Sequence, residues 1–134
     1  MSEYFNQFFC DFNNRFSVII EDDGKVAYGY LMDDEDIVGD VWLYNQKPSP
    51  QESLNWKSKD DLPFLHSLEY IKENILPIKD DEDIRCEWAM AGNRKTLKEV
   101  EIFIRDRFIA KLAINAFPGW STMVIKDSRL AKQT

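Results

Sequence analysis

Apolar and polar residues alternate along most of this chain, and a period of two is typical of β-strands. In the first half the alternation runs through Phe16–Ile20, Val26–Met32 and Ile37–Tyr44. Short polar turns separate these segments, one with the Asp23-Gly24 pair that suits a tight hairpin and one over residues 33–36. Because strands joined by short turns pair antiparallel, the pattern predicts a three-stranded antiparallel meander.

The second half repeats this alternation in four segments, Ile84–Met90, Val100–Ile104, Phe108–Ile114 and Trp120–Val124, which predict a second meander. Seven strands with little helix to cover them do not suit one flat sheet. We therefore predict a mainly β (α+β) protein whose meanders form a curved sheet, a partial barrel or a sandwich. The residues expected to pack the two meanders together are Val18, Ile20, Tyr28, Val41, Trp88, Ile102, Ile104 and Leu112.

Gly39 interrupts the third segment of the first meander. A glycine inside a strand weakens it and often marks a bulge, or a place where another group packs closely. We therefore expect an irregular pairing or a close approach at this position.

The first 14 residues depart from this alternation. Tyr4, Phe8 and Phe12 follow one another at intervals of four, a helical spacing that gives one aromatic stripe. The spacing predicts an N-terminal helix in residues 1–14 that lies over the sheet. The alternative is an aromatic anchor for a partner or for a second copy of the chain, that is, a homodimer.

Residues 46–83 form a predicted insert between the two meanders. Its first part is rich in proline and serine, which indicates a long irregular connection. Ser67 is a suitable N-cap, and Ile71 and Ile75 continue an apolar helical spacing up to Pro77. The insert therefore predicts one helix, within a single domain of residues 1–134.

Charge is divided unevenly along the chain. Residues 1–83 contain 19 acidic and 7 basic side chains, a net charge of −12, whereas residues 84–134 contain 5 acidic and 10 basic side chains, a net charge of +5. The first half therefore favours a basic partner. The overall isoelectric point near 4.7 argues against a nucleic-acid partner, since phosphates repel an acidic protein.

Sequence patterns for catalysis, metal binding and membranes are missing from the chain. His66 is its one histidine, and no nucleophile, phosphate-loop or zinc motif occurs. The acidic turn of residues 33–36 lacks the ligand spacing of a calcium loop, so we expect no cofactor and no metal. The chain has neither an 18-residue apolar run nor a signal peptide, which predicts a cytoplasmic protein with Cys10 and Cys86 as free thiols.

One block of sequence resembles a known family. Residues 26–45, VAYGYLMDDEDIVGDVWLYN, together with residues 48–50, Trp56, residues 62–64 and the later residues 118–121, PGWS, are similar to a family of small uncharacterised bacterial proteins. Their shared pattern is GDVWLYN…PF…PGWS. The resemblance implies a bacterial cytosolic origin and brings no activity, cofactor or catalytic residue.

Two functions remain open. The first is a non-enzymatic binding protein, an acidic inhibitor or immunity-type protein that captures a basic protein. Its expected acidic contacts and aromatic anchors are Asp33, Asp34, Glu35, Asp36, Asp40, Trp42, Tyr44 and Trp56. The alternative for Trp42, Tyr44 and Trp56 is a place in the core under the insert, and for Trp42 we favour that alternative.

The second is a small-molecule binding protein or an enzyme with an aromatic-lined pocket in the curved sheet. Its expected lining adds Tyr28, Tyr30 and Trp88 to Trp42 and Trp56, with an aspartate or His66 for polar chemistry. Geometry distinguishes the two functions: an enclosed pocket with a desolvated acid favours the second, and an open acidic patch beside exposed aromatic rings favours the first.

Overall fold

A computed structural model describes residues 3–46, 72, 75–92, 96–125 and 127–134. Within these residues the chain forms β-strands and one short 3-10 helix, Asp81–Asp83. The strands are β1 (Tyr4–Phe9), β2 (Phe16–Asp22), β3 (Val26–Asp33), β4 (Asp36–Asn45), β5 (Ile84–Met90), β6 (Leu97–Ile104), β7 (Arg107–Leu112), β8 (Trp120–Ser121) and β9 (Lys132–Gln133).

The described strands form two sheets. The first has the order β1-β2-β3-β4 and is antiparallel throughout. The second has the order β5-β6-β7-β8-β9 and is antiparallel except for the β8–β9 pair. The predicted mainly antiparallel β fold is thus confirmed, as two sheets that do not close into a barrel within this part of the chain.

The two sheets face each other across the predicted core. A Cβ placed on Gly29 of β3 would lie 3.1 Å from Cδ1 of Ile102 on β6, so these strands are in close contact. Six of the residues expected between the meanders are buried there, namely Val18, Ile20, Val41, Ile102, Ile104 and Leu112. Trp88 is only half-buried, and Tyr28 lies on the opposite face of its strand.

Backbone contacts at β4 join the two sheets. Gly39 forms a parallel bridge with Ala116, and the Asp40 N–H donates to the Ala116 carbonyl at 3.0 Å. The Gly119 N–H in turn donates to the Asp40 carbonyl at 2.6 Å. A Cβ on Gly39 would lie 3.0 Å from the Ala113 carbonyl oxygen, so the close approach expected at Gly39 is confirmed.

The predicted N-terminal helix is wrong. Residues Tyr4–Phe9 are strand β1, paired antiparallel with β2 so that Phe8 is opposite Val18. An interval of four is also an even interval, so Tyr4 and Phe8 lie on one face of a strand as well as of a helix. Phenylalanine and tyrosine favour strands over helices, and the neighbouring strand supplies the hydrogen bonds.

The predicted insert helix is also wrong over the residues that the structure describes. Ile75 and Leu76, which belong to its expected last turn, have irregular backbone, and the described ranges contain no α-helix. Residues 67–71, 73 and 74 lie outside those ranges. The Arg105 side chain holds the end of this segment, because its guanidinium donates to the Leu76 carbonyl at 2.5 Å and to the Pro77 carbonyl at 3.3 Å.

Candidate functional site

The acidic turn between β3 and β4 lies at one end of the first sheet. Asp33 pairs with Asp36, and Asp34 and Glu35 form the turn between them. Asp34 has φ of 54°, a left-handed conformation that aspartate tolerates better than most residues. The Asp34 N–H donates to the Arg15 carbonyl at 2.8 Å, which fixes the turn against the start of β2.

Arg15 neutralises part of this turn. Its guanidinium binds both carboxylate oxygens of Asp33, with Nη2 at 3.0 Å from Oδ2. Its Nε is 3.9 Å from the Asp34 carboxylate. The Asp33 side chain is only 21% exposed, whereas the Asp34 side chain is 74% exposed. Glu35 and Asp36 are also exposed, so one base faces four acids and three of the carboxylates remain open to solvent.

Exposed apolar side chains adjoin these carboxylates. Phe9 lines an open depression together with Asp34, Glu35 and Asp36. The strand register places Phe9, Ser17, Met32 and Ile37 in one row across the four strands of the first sheet. Phe9 is 56% exposed and Ile37 is 53% exposed. We call Phe9, Asp34, Glu35, Asp36 and Ile37 the acidic turn surface.

A second cluster lies on the outer face of the same sheet. Tyr28 and Tyr30 are neighbours with ring centroids 6.2 Å apart, and Tyr30 is opposite Asp40 on β4. Asp40 is half-buried, and burial raises the pKa of its carboxyl above the ordinary value. Burial also raises the pKa of Tyr30 to about 12 and that of Tyr28 further. Among the described residues, no hydrogen bond or ion pair reaches the Asp40 carboxylate.

Trp88 does not join this cluster. Trp88 is opposite Val100 on β6. Val100 is two residues from Ile102, so both lie on the face of β6 that packs against the first sheet, and Trp88 lies on that same face. Tyr28 and Tyr30 alternate with Gly29, which faces the second sheet, and so point away from it. The described part of the expected pocket is therefore divided between two faces. Trp56 and His66, the other expected members, lie outside the described residues.

Two of the expected partner anchors are core residues. Trp42 and Tyr44 are both 0% exposed, which leaves no surface for a partner and agrees with the alternative stated for Trp42. The indole Nε1 of Trp42 donates to Oδ1 of Asn45 at 2.8 Å. The Tyr44 hydroxyl donates to Oδ2 of Asp22 at 2.6 Å and accepts the Ile78 N–H at 2.9 Å.

Asp22, which directly precedes the Asp23-Gly24 turn, is a buried carboxylate. It is 2% exposed and accepts the Tyr44 hydroxyl and the Gln46 side-chain amide, each at 2.6 Å. It also accepts the Gly24 N–H at 2.9 Å. These donors satisfy the buried carboxylate and tie the β2–β3 turn to the end of β4. The available sequence signal was the Asp-Asp-Gly turn, which indicates a local hydrogen bond but not burial.

The other chemistry-bearing groups are few. The described residues hold no cluster of three histidine, cysteine, aspartate or glutamate side chains that could bind a metal ion. Cys10 and Cys86 are both free thiols, as predicted, and burial raises the pKa of the Cys86 thiol to about 12. In the same part of the chain, no helix has the length and apolar character needed to cross a membrane.

Comparison with known proteins adds no relative. No protein-family model, no curated protein and no solved structure matches this chain. The resemblance to the GDVWLYN…PF…PGWS family stays a prediction.

Removing the Tyr44 hydroxyl should destabilise the protein. In Tyr44→Phe the buried Asp22 carboxylate loses a donor and the Ile78 N–H loses its acceptor, so we expect the free energy of unfolding to fall by about 1–3 kcal/mol. Chemical denaturation monitored by circular dichroism measures this. The control is Tyr30→Phe, whose half-exposed hydroxyl has no partner in the described residues. Equal losses in the two variants would contradict the role assigned to Tyr44.

Asp40 should make stability depend on pH. Because its pKa is raised in the folded state, the folded protein binds a proton that the unfolded chain has already released. The free energy of unfolding therefore falls as pH rises from about 4 through the raised pKa. Asp40→Asn should be more stable than the native protein at pH 7, and this difference should shrink towards pH 4. A difference that stays constant across pH would contradict this assignment.

Proposed function

We propose that this protein is a non-enzymatic binding protein, of the inhibitor or immunity type, that captures a basic protein through the acidic turn surface. The observation that carries the proposal is the juxtaposition of three solvent-exposed carboxylates, Asp34, Glu35 and Asp36, with the exposed side chains of Phe9 and Ile37. Apolar contact supplies affinity in such an interface, while charge supplies steering and specificity.

The charge distribution supports a basic partner. Arg15 is committed to Asp33, so the remaining carboxylates of the turn are available to lysine and arginine side chains of a partner. The first half of the chain has a net charge of −12, which adds a long-range attraction for a basic protein. Exposed charges of this kind mainly accelerate association, and salt weakens them.

The outer face of the second sheet argues against a nucleic-acid partner. Two of its bases have an acid beside them: Lys111 lies 4.0 Å from the Glu99 carboxylate and 5.0 Å from the Trp120 ring centroid. Arg85 binds Glu87 and lies 4.1 Å from the centroid of the Phe103 ring. These ion pairs reduce the local positive charge, and the whole chain, at −7, repels phosphates at long range.

The experiment is capture of a partner from a lysate of the source cell, at low and at high salt. The native protein should retain a basic protein at low salt and lose it at high salt. The variant Asp34→Asn/Glu35→Gln/Asp36→Asn should bind that protein with association about tenfold slower or more at low salt. Interferometry with the purified partner measures this rate.

The matched control is Glu3→Gln/Glu21→Gln/Glu82→Gln, which removes the same number of negative charges from exposed positions in the first half, at the opposite end of the first sheet. We expect this control to keep most of the association rate, because its acids lie away from the turn. Equal effects of the two variants would mean that only net charge matters. A partner that is acidic, or that salt does not release, would contradict the proposal.

A second candidate function rests on Asp40. Asp40 is a half-buried carboxylate to which no described residue bonds, and it lies beside two tyrosine rings; carboxylates and aromatic faces both attract a small cationic ligand. This candidate corresponds to the predicted small-molecule binding protein and uses Tyr28 and Tyr30, two residues of the expected pocket. We place it second because Asp40 and the two tyrosines line none of the three open depressions found near Phe9, Tyr4 and Phe12.

A further inference from the structure

Strand β1 is an edge of the first sheet, and no described strand pairs with its outer side. Among the described strands it pairs with β2 alone. The Cys10 N–H donates to the Phe16 carbonyl at 2.9 Å, so this antiparallel pair is hydrogen-bonded. Because such pairs alternate along a strand, the N–H and C=O groups of Phe5, Gln7 and Phe9 point away from β2.

This edge lacks the usual protection against pairing with another strand. Natural edge strands carry charges, prolines or bulges that block a second chain. Residues Tyr4–Phe9, YFNQFF, contain no charge and no proline, and their register with β2 is unbroken. One local bond exists, from the Gln7 N–H to Oδ1 of Asn6 at 2.8 Å.

The edge strand of the other sheet is protected by comparison. Strand β5 carries Arg85 and Glu87 on its exposed face. Its register with β6 shifts between Ala89 and Met90, which marks a bulge or irregularity. These are the devices that discourage edge-to-edge pairing, so the contrast singles out β1.

Two exposed aromatic rings accompany the open edge of β1. Phe5 and Phe9 are 64% and 56% exposed. Gln7 lies between them on the same face, where its side-chain amide donates to the Ser17 hydroxyl at 2.8 Å. The edge therefore combines unpaired backbone groups with apolar surface.

We propose that β1 is a dimerisation strand, which pairs antiparallel with β1 of a second copy of this chain. In such a pair a two-fold axis perpendicular to the sheet relates the two strands, so the numbers of opposed residues always have the same sum. Because side chains alternate between the two faces of a strand, opposed residues lie on the same face of the sheet only if this sum is even. Centring the pair on Gln7 meets this condition and places Phe5 opposite Phe9 of the second copy. Each of the pairs Phe5–Phe9 and Gln7–Gln7 then exchanges both N–H···O=C bonds, once the Gln7 N–H has released Oδ1 of Asn6.

The neutral strand and its apolar rings suit a second copy better than a basic partner, which is drawn to the acidic turn. Charge itself opposes the pair at low salt, because the flanking Glu3 lies opposite Asp11 of the second copy in this register. The rings of both copies would bury about 500 Å² of aromatic surface, given about 200 Å² for a whole ring side chain. That area is below the size of a standard interface, so we expect a weak, concentration-dependent dimer.

This inference goes beyond the proposed function, and the response to salt distinguishes dimerisation from capture of a basic partner. Each copy has a net charge of −7, so the copies repel each other at low salt. Screening should therefore strengthen the dimer, whereas it should weaken capture of a basic partner. The variant Asp34→Asn/Glu35→Gln/Asp36→Asn should still dimerise.

Sedimentation equilibrium of the full chain tests the proposal. With rising protein concentration the mass should move from 15.8 kDa towards twice that value, and further at about 500 mM salt than at about 20 mM. Phe5→Lys/Phe9→Lys should weaken dimerisation about tenfold or more, because it places charge beside the edge. The control Leu76→Lys alters another exposed apolar residue, 74% exposed, and should leave the dimer unchanged.

A second variant separates strand pairing from general apolar association. Gln7→Pro removes an N–H that points to the open side and spares the backbone bonds to β2, although it loses the side-chain bond to Ser17, so it should also weaken the dimer about tenfold. Circular dichroism checks that each variant is folded; if Gln7→Pro is not, the lysine variant decides. A native protein that is monomeric up to its solubility limit would overturn the proposal. So would a dimer that survives the lysine variant, or one that salt dissociates.

Discussion

Close backbone contact at Gly39 and Gly119 determines how the two sheets meet. A Cβ on Gly119 would lie 2.5 Å from the Lys111 carbonyl oxygen, and one on Gly39 would lie 3.0 Å from the Ala113 carbonyl oxygen. Without side chains at these two positions, Asp40 can bond through its backbone to Ala116 and to Gly119. The first sheet is thereby joined to the second along β4, and the opposite edge of the first sheet, β1, takes no part in this junction.

The two surfaces on which function is proposed differ in charge but adjoin each other. The β3–β4 turn projects from one end of the first sheet and exposes Asp34, Glu35 and Asp36, while the edge of β1 is a neutral row of backbone groups. The two surfaces share Phe9, whose ring is exposed beside both. A dimer through β1 would change the surroundings of the Phe9 ring, so dimerisation is expected to change the affinity for a partner that contacts this ring.

The sequence predicted those features that depend on local periodicity. The alternation located β2 to β7 because each of these strands has one face on a shared core, and Gly39 was identified because glycine has a specific steric use. β1 was missed because residues four apart share a face in a helix and in a strand alike. Asp22 was missed because its burial depends on Tyr44 and Gln46, which are more than 20 residues away in the chain.

Which acids form a site could not be predicted from charge counts either. Asp33 and Asp34 are adjacent and chemically identical, yet Arg15 occupies the first and leaves the second largely exposed. Asp40 differs from both because it is half-buried on the face of the sheet, opposite Tyr30. Burial removes water from its carboxylate and makes the charged form less stable, which is the physical reason that its pKa is raised. Such a group costs stability at neutral pH unless a cation covers it, and that cost is what a ligand or a basic side chain at this face would recover.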